Sequence, residues 1–142
     1  MANNMSDYLE SKLVNNFFRT TTYSRPANLW IALSTGTMTD SNTGSSMSEV
    51  SGGSYARKGG ATVDPLDATW DAPSSTDGHT SNTSDITFVT ATGSWGTVTG
   101  MAITDASSSG NILFFGTLSS SKAVGSSDTF KFLAGDIDVT FS

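Results

Sequence analysis

The sequence predicts a mainly β protein, an antiparallel β-sandwich of jelly-roll-like kind with one short N-terminal α-helix. Three observations lead there. Short alternating apolar segments recur through the last third of the chain, and tracts rich in Gly, Ser, Thr and Asp separate them. A helical stripe of apolar residues occurs only near the start. Residues 1–142 read as one structural domain, with a helix over about 5–19 and β-rich chain over 28–142.

Residues 4–19 carry the helical signal. Leu9, Leu13, Val14, Phe17 and Phe18 fall at i, i+4, i+5, i+8 and i+9, the spacing of an apolar stripe. Asn4 or Ser6 serves as N-cap, and Asp7 and Glu10 place negative charge in the first turn. Lys12 and Arg19 lie towards the other end. The β-branched run Thr20-Thr21-Thr22 disfavours continuation, and Arg25-Pro26 forces an extended or turning backbone. The stripe can pack on the chain's own sheet or on a partner subunit, and the former is preferred.

Leu29-Trp30-Ile31-Ala32-Leu33 is a continuous apolar run, as expected of a strand buried on both faces, with Trp30 in the core. Residues 34–54 form a polar tract with Met38, Met47 and Val50 as its apolar points, which suggests a functional or mobile loop. Tyr55-Ala56-Arg57 and Ala61-Thr62-Val63 read as short strand pieces broken at Gly59-Gly60. Residues 71–85 read as a second polar loop, which holds the single histidine, His79. Ile86-Thr87-Phe88, Phe130-Lys131-Phe132 and Ile137 to Phe141 alternate. Trp95 to Ile103 and Asn111 to Leu118, joined by the turn tract Asp105 to Gly110, form the most secure hairpin.

Composition excludes several kinds of chemistry. With no cysteine there is no disulfide framework, thiolate metal site or cysteine nucleophile. Seven basic residues against 13 acidic ones give a net charge of −6, the wrong sign for a broad nucleic-acid surface. Charged residues are only 14% of the chain, below the usual ~25%, and 45 serines and threonines fill the gap. The longest apolar run has five residues, far short of the ~18 that span a membrane. Met1 to Tyr8 show no basic segment followed by an apolar run, so no secretory leader is expected.

Candidate chemistry is sparse. His79 in Asp77-Gly78-His79-Thr80 has serines around it, but no Gly-x-Ser-x-Gly elbow accompanies it, and a solvated loop histidine is the simpler reading. Asp64, Asp67 and Asp71, or Asp136 and Asp138, offer oxygen ligands to calcium without matching the EF-hand loop pattern; solvated charge is preferred. Exposed Trp70 and Tyr55 would supply the coplanar aromatics of a carbohydrate-binding module. The residues singled out as interface candidates are Leu9, Leu13, Phe17, Tyr55, Arg57 and Trp70.

Several elements, taken in order, resemble a known family. They are Ser6-Asp7-Tyr8-Leu9-Glu10-Ser11-Lys12-Leu13, Phe18-Arg19-Thr20, and Tyr23-x-x-Pro26-Ala27-x-Leu29-x-Ile31-Ala32-Leu33. Glu49 to Arg57, with its Gly-Gly-x-Tyr-x-Arg element, follows; then Trp95-Gly96-Thr97-Val98-Thr99-Gly100 and Gly110 to Gly116. The pattern is similar to small structural proteins of tailed bacteriophages, of the capsid-decoration or tail-fibre-like kind. The resemblance implies a virion component, assembled in the host cytoplasm, with no catalytic residues and no cofactor. The expected partners are the major capsid protein or other virion subunits and further copies of the chain, with no nucleic acid and no membrane. Capsid decoration is the preferred expectation; a tail-fibre or tail-tip component touching the host surface is the alternative.

Overall fold

The structure, a computed structural model, describes residues 3–60, 70–72 and 77–141. In chain order the elements are β1 (Asn3–Met5), α1 (Asp7–Phe18), β2 (Trp30–Ser34), β3 (Lys58–Gly59), β4 (His79–Ser81), β5 (Ile86–Thr87), β6 (Gly96–Thr104), β7 (Ile112–Val124), β8 (Lys131–Phe132) and β9 (Asp138–Thr140). One five-stranded sheet has the order β1-β7-β6-β2-β3, and β4-β9 and β5-β8 form two ribbons. Every pairing is antiparallel. Among the described residues the protein is thus mainly β with one helix, layered like a sandwich in which the two ribbons share the main core with the sheet.

The hairpin of β6 and β7 is the centre of the sheet. Its turn closes because Asp105 accepts hydrogen bonds from the backbone and side-chain amides of Asn111, both at 2.8 Å. Ile31 and Leu33 lie opposite Ile103 and Met101, and these side chains join Ile86, Phe88, Phe130, Phe132 and Val139 in the main core. A bulge between Ile103 and Thr104 puts an extra residue into β7, and both Leu113 and Phe114 join that core. The opposite face carries small residues: Ala32 pairs with Ala102, and Phe115 flanks them.

Residues 34–54 cover this small-residue face instead of forming a free loop. Met47 is buried against Ala32, Ala102, Ile112 and Phe115, with Met38 beside them. Hydrogen bonds from Thr35 to Ser48 and from Val50 to Leu33 hold the cover along β2. The alanines leave space that the methionines fill, so a tract poor in apolar residues still packs.

Several expected boundaries move. The strand after the cover is Lys58–Gly59 and not residues 55–57. Gly59 is its determinant: it passes so close to β2 that a Cβ would lie 2.2 Å from the Leu29 carbonyl, at φ 143°. Ala61-Thr62-Val63 lies outside the described residues. The polar stretch 71–85 is interrupted by β4, which pairs with β9. Buried Asn82 ends β4 by donating to the carbonyls of Ser84 and Leu133 and accepting from the Ile137 amide. β7 runs on to Val124, past the expected end at Leu118, because Lys122 to Val124 rejoin β6. Trp30 is half-buried, its ring lying against Gly60.

One buried cation ties the cover to the sheet. The Arg57 side chain is 1% exposed. Its Nε and Nη2 donate to the two carboxylate oxygens of Glu49, each at 2.7 Å. Its Nη1 donates to Thr104 Oγ1 and to the carbonyls of Ala106 and Ser109, and Nη2 reaches the Gly44 carbonyl. Six acceptors thus surround five N–H donors. Gly44 must approach closely for this, since a Cβ there would lie 1.9 Å from the Ser109 carbonyl. Tyr55 extends the network: its hydroxyl donates to Glu49 at 3.0 Å and accepts from the Leu33 amide at 2.9 Å. Burial pushes the Tyr55 phenol above the ordinary value of 10.0, and the neighbouring Glu49 charge adds to this against the opposing Leu33 amide and Arg57 charge.

Arg57→Ala removes the cation and takes its N–H donors from Glu49 and from the carbonyls of Gly44, Ala106 and Ser109, so unfolding free energy should fall by about 3 kcal/mol. Urea denaturation followed by tryptophan fluorescence measures this, and Gly44→Ala should show a loss of the same sign. Tyr55 holds its proton more tightly folded than unfolded, so its contribution is intact below pH 10 and declines as pH rises above that value. The melting temperature should therefore drop through that alkaline range, and the slope should be shallower in Tyr55→Phe, whose stability is lower at neutral pH.

Candidate functional site

The six candidate side chains occupy different environments. Arg57 is internal, spent on the network that holds the cover. Tyr55 is half-buried; its ring stacks on Phe88 at 6.3 Å and meets the edge of Trp95 at 5.3 Å. Trp70 is also half-buried, bridged to Asn82 through the backbone, and it lines an apolar recess of about 140 Å³ with Leu29, Leu113, Phe114, Val139 and Phe141. Tyr55 is not part of that recess, so the coplanar aromatic pair of a carbohydrate platform does not form.

The remaining three lie on α1 and define a gradient along it. Buried Ser6 is the N-cap: its hydroxyl accepts from the Leu9 amide at 3.2 Å and donates to the Ile112 carbonyl. The Ser6 amide donates to Leu113 at 3.0 Å, and the Asp7 amide reaches Asp40 in the cover at 2.9 Å. The helix is thus pinned at its first turn to the bulged start of β7. Leu9 is buried and Leu13 half-buried against the core. Past that point the apolar side chains turn to solvent, with Val14 54% exposed, Phe17 73% and Phe18 84%, while Asn16 still accepts a hydrogen bond from the Tyr23 amide at 2.9 Å. The outer end of α1 is the candidate functional surface.

Val14 and Phe18 were not among the candidates, although a signal for them existed. At 100° per residue, Phe18 lies about 140° round the helix from Leu13, so the five apolar residues span roughly half the circumference. One sheet surface cannot cover so wide a stripe. The helix ends at Phe18, capped by Arg19, whose amide donates to Asn15. The expected stop among the threonines therefore comes two residues early.

Other polar groups serve the fold. His79 stands in β4, not in a loop, and its Nε2 lies 3.2 Å from Asp138 Oδ1. Among the described residues no serine hydroxyl bonds to the ring, and no Ser-His-Asp relay is assembled among them. Asp136 accepts from the Leu133 amide at 2.8 Å and closes a turn. Asp64 and Asp67 lie outside the described residues, and Asp71 accepts from Ser81. Among the described residues no three His, Asp or Glu gather around a metal-sized space. An open polar groove of about 640 Å³ runs between the far half of β7 and β8, lined by Ser119, Ser120, Lys122, Asp128 and Lys131.

The residues that carried the family resemblance form one connected unit. Gly53 accepts a hydrogen bond from Trp95 Nε1 at 3.0 Å, at a φ of 52° and with no room for a Cβ beside the indole. Trp95 then packs on Tyr55, which shares Glu49 with Arg57. The Gly-Gly-x-Tyr-x-Arg and Trp-Gly elements are therefore two halves of a single packing arrangement. A search of curated proteins finds no match to the chain. A family model described as Podophage GP4 fiber I protein gp80 does match, over residues 4–140. That span takes in α1, both sheet faces, the Arg57 network and the last strand, and so the chain belongs to this phage fibre protein family and is a structural component of a bacteriophage virion.

Proposed function

We propose that the chain is a non-enzymatic subunit of the phage fibre, held in its assembly through the outer end of α1. The exposure of Phe17 and Phe18 carries this reading. Two adjacent phenylalanines at the outer end of the helix keep a large apolar area in water, and such patches mark contact surfaces. The description of the matching family as a fibre protein favours the fibre over the capsid head. The rest of the molecule suits a passive role. Its recognition elements, Gly53, Tyr55, Arg57 and Trp95, are directed inward at stability, and the exposed surface is rich in uncharged hydroxyls.

Immunogold labelling of intact particles, with antibody raised against the purified chain, tests the location. Label is expected on the fibres. Label spread over the capsid heads would overturn the fibre reading in favour of capsid decoration, and particles without label or polypeptide would overturn both. Phe17→Ser/Phe18→Ser should leave the melting temperature within about 2 °C, since exposed positions contribute little to folding. The same double variant should fail to incorporate into particles when it replaces the normal chain.

A further inference from the structure

The two layers part at the turn that follows β7. The Asp128 side chain accepts from the Gly125 amide at 2.8 Å, and the Asp128 amide donates to the Gly125 carbonyl at 3.1 Å. Residues 129–132 then return in the second layer, where β8 pairs with β5 and not with β7. The polar groove of about 640 Å³ lies between these two segments, within the ~300–1,000 Å³ of ligand clefts. One wall is a strand edge. The Phe88 amide donates to the Phe130 carbonyl at 2.9 Å, and Ile86 and Thr87 stand opposite Phe132 and Lys131. Successive residues of a strand aim their backbone groups to opposite sides. Phe130 and Phe132 therefore spend theirs on the β5 side, while the N–H and C=O groups of Thr129 and Lys131 point the other way, into the groove that both residues line. Among the described residues those backbone groups have no hydrogen-bond partner. On the facing wall Leu118 to Ser121 stand opposite no residue of β6, because the register shifts there. Residues 118–141 contain no proline that would block an edge.

We infer that this groove takes an extended, polar segment of a neighbouring virion subunit, which adds to β8 as a third strand through the backbone of Thr129 and Lys131. The inference rests on the reading of the chain as a fibre subunit and does not involve α1. Unpaired N–H and C=O groups in a row are matched by one kind of partner, another extended backbone, whatever its side chains. The ribbon gains most from such an addition, since β5 and β8 share only two residue pairs and two-stranded ribbons are marginal alone. The lining selects a polar segment. Ser119, Ser120 and Thr129 bring hydroxyls and Lys122 an ammonium group. The carboxylates of Asp128 and Asp136 already accept from the Gly125 and Leu133 amides, each at 2.8 Å.

Hydrogen–deuterium exchange resolved to single amides, compared between the purified chain and the same chain in intact particles, is the test. The Lys131 amide is expected to exchange fast in the purified chain and about tenfold or more slowly in particles, the change that one hydrogen bond produces. Lys131→Pro removes this donor where the chain itself does not use it, so the circular dichroism spectrum should be unchanged and incorporation into particles lost. Lys131→Ala keeps the amide and discards the ammonium group, and should incorporate normally. A Lys131 amide that is already slow in the purified chain, or equally fast in both states, overturns the strand addition, and so does a folded proline variant that incorporates like the normal chain. If the proline variant does not fold, the exchange comparison decides alone. Unchanged exchange in particles whose fibres carry the antibody label removes the strand addition and leaves the fibre assignment in place.

Discussion

The Arg57–Glu49 pair is the constraint on which the small-residue face of this protein depends. Residues 34–54 contain too few apolar side chains to hold themselves against the sheet. A guanidinium that is 1% exposed does what burial alone does not, by gathering carbonyls from Gly44, Ala106 and Ser109 around one centre. Such a group is stable only when fully partnered, so the cover and the β6–β7 turn must be in place together. Tyr55 and Trp95 carry this order across to the main core through Glu49 and Gly53.

Much of the architecture was legible in the sequence because its periodicity is local. The Trp95 to Leu118 hairpin, the alternation of Ile86 to Phe88 and of Phe130 to Phe132, and the cap at Ser6 all appear close to where pattern places them. What was not legible depends on distant partners. β4 exists because β9 returns to it from about sixty residues later, and no local pattern marks His79 to Ser81 as a strand. The far half of β7 carries the serine run Ser119 to Ser121 at a register shift, after which Lys122 to Val124 pair with Gly96 to Val98. Arg57 read as a surface contact because arginine is so seldom buried; only Glu49 and the converging carbonyls make its burial tolerable. Leu9 and Leu13, singled out as interface candidates within a stripe expected to pack on the chain's own sheet, lie against the core, whereas the exposed remainder of the stripe required knowing how little sheet lay beneath it.

The family resemblance and the physics meet at the same residues. Gly53 must lack a side chain to admit the Trp95 indole, and Tyr55 must offer a hydroxyl to reach both Glu49 and Leu33. These elements build the packed body. The features that differ in kind are those on the outside, above all the end of α1 and the hydroxyl-rich strand at Ser119 to Ser121.

The attachment of α1 has a mechanical consequence. The helix is about 18 Å long at 1.5 Å per residue, and its firmest anchorage is the first turn at Ser6, Asp7 and Leu9. Leu13 against the core and Asn16, which accepts from the Tyr23 amide at 2.9 Å, steady its outer half, so the position of Phe18 is set jointly by the bulged start of β7 and by the segment that follows the helix.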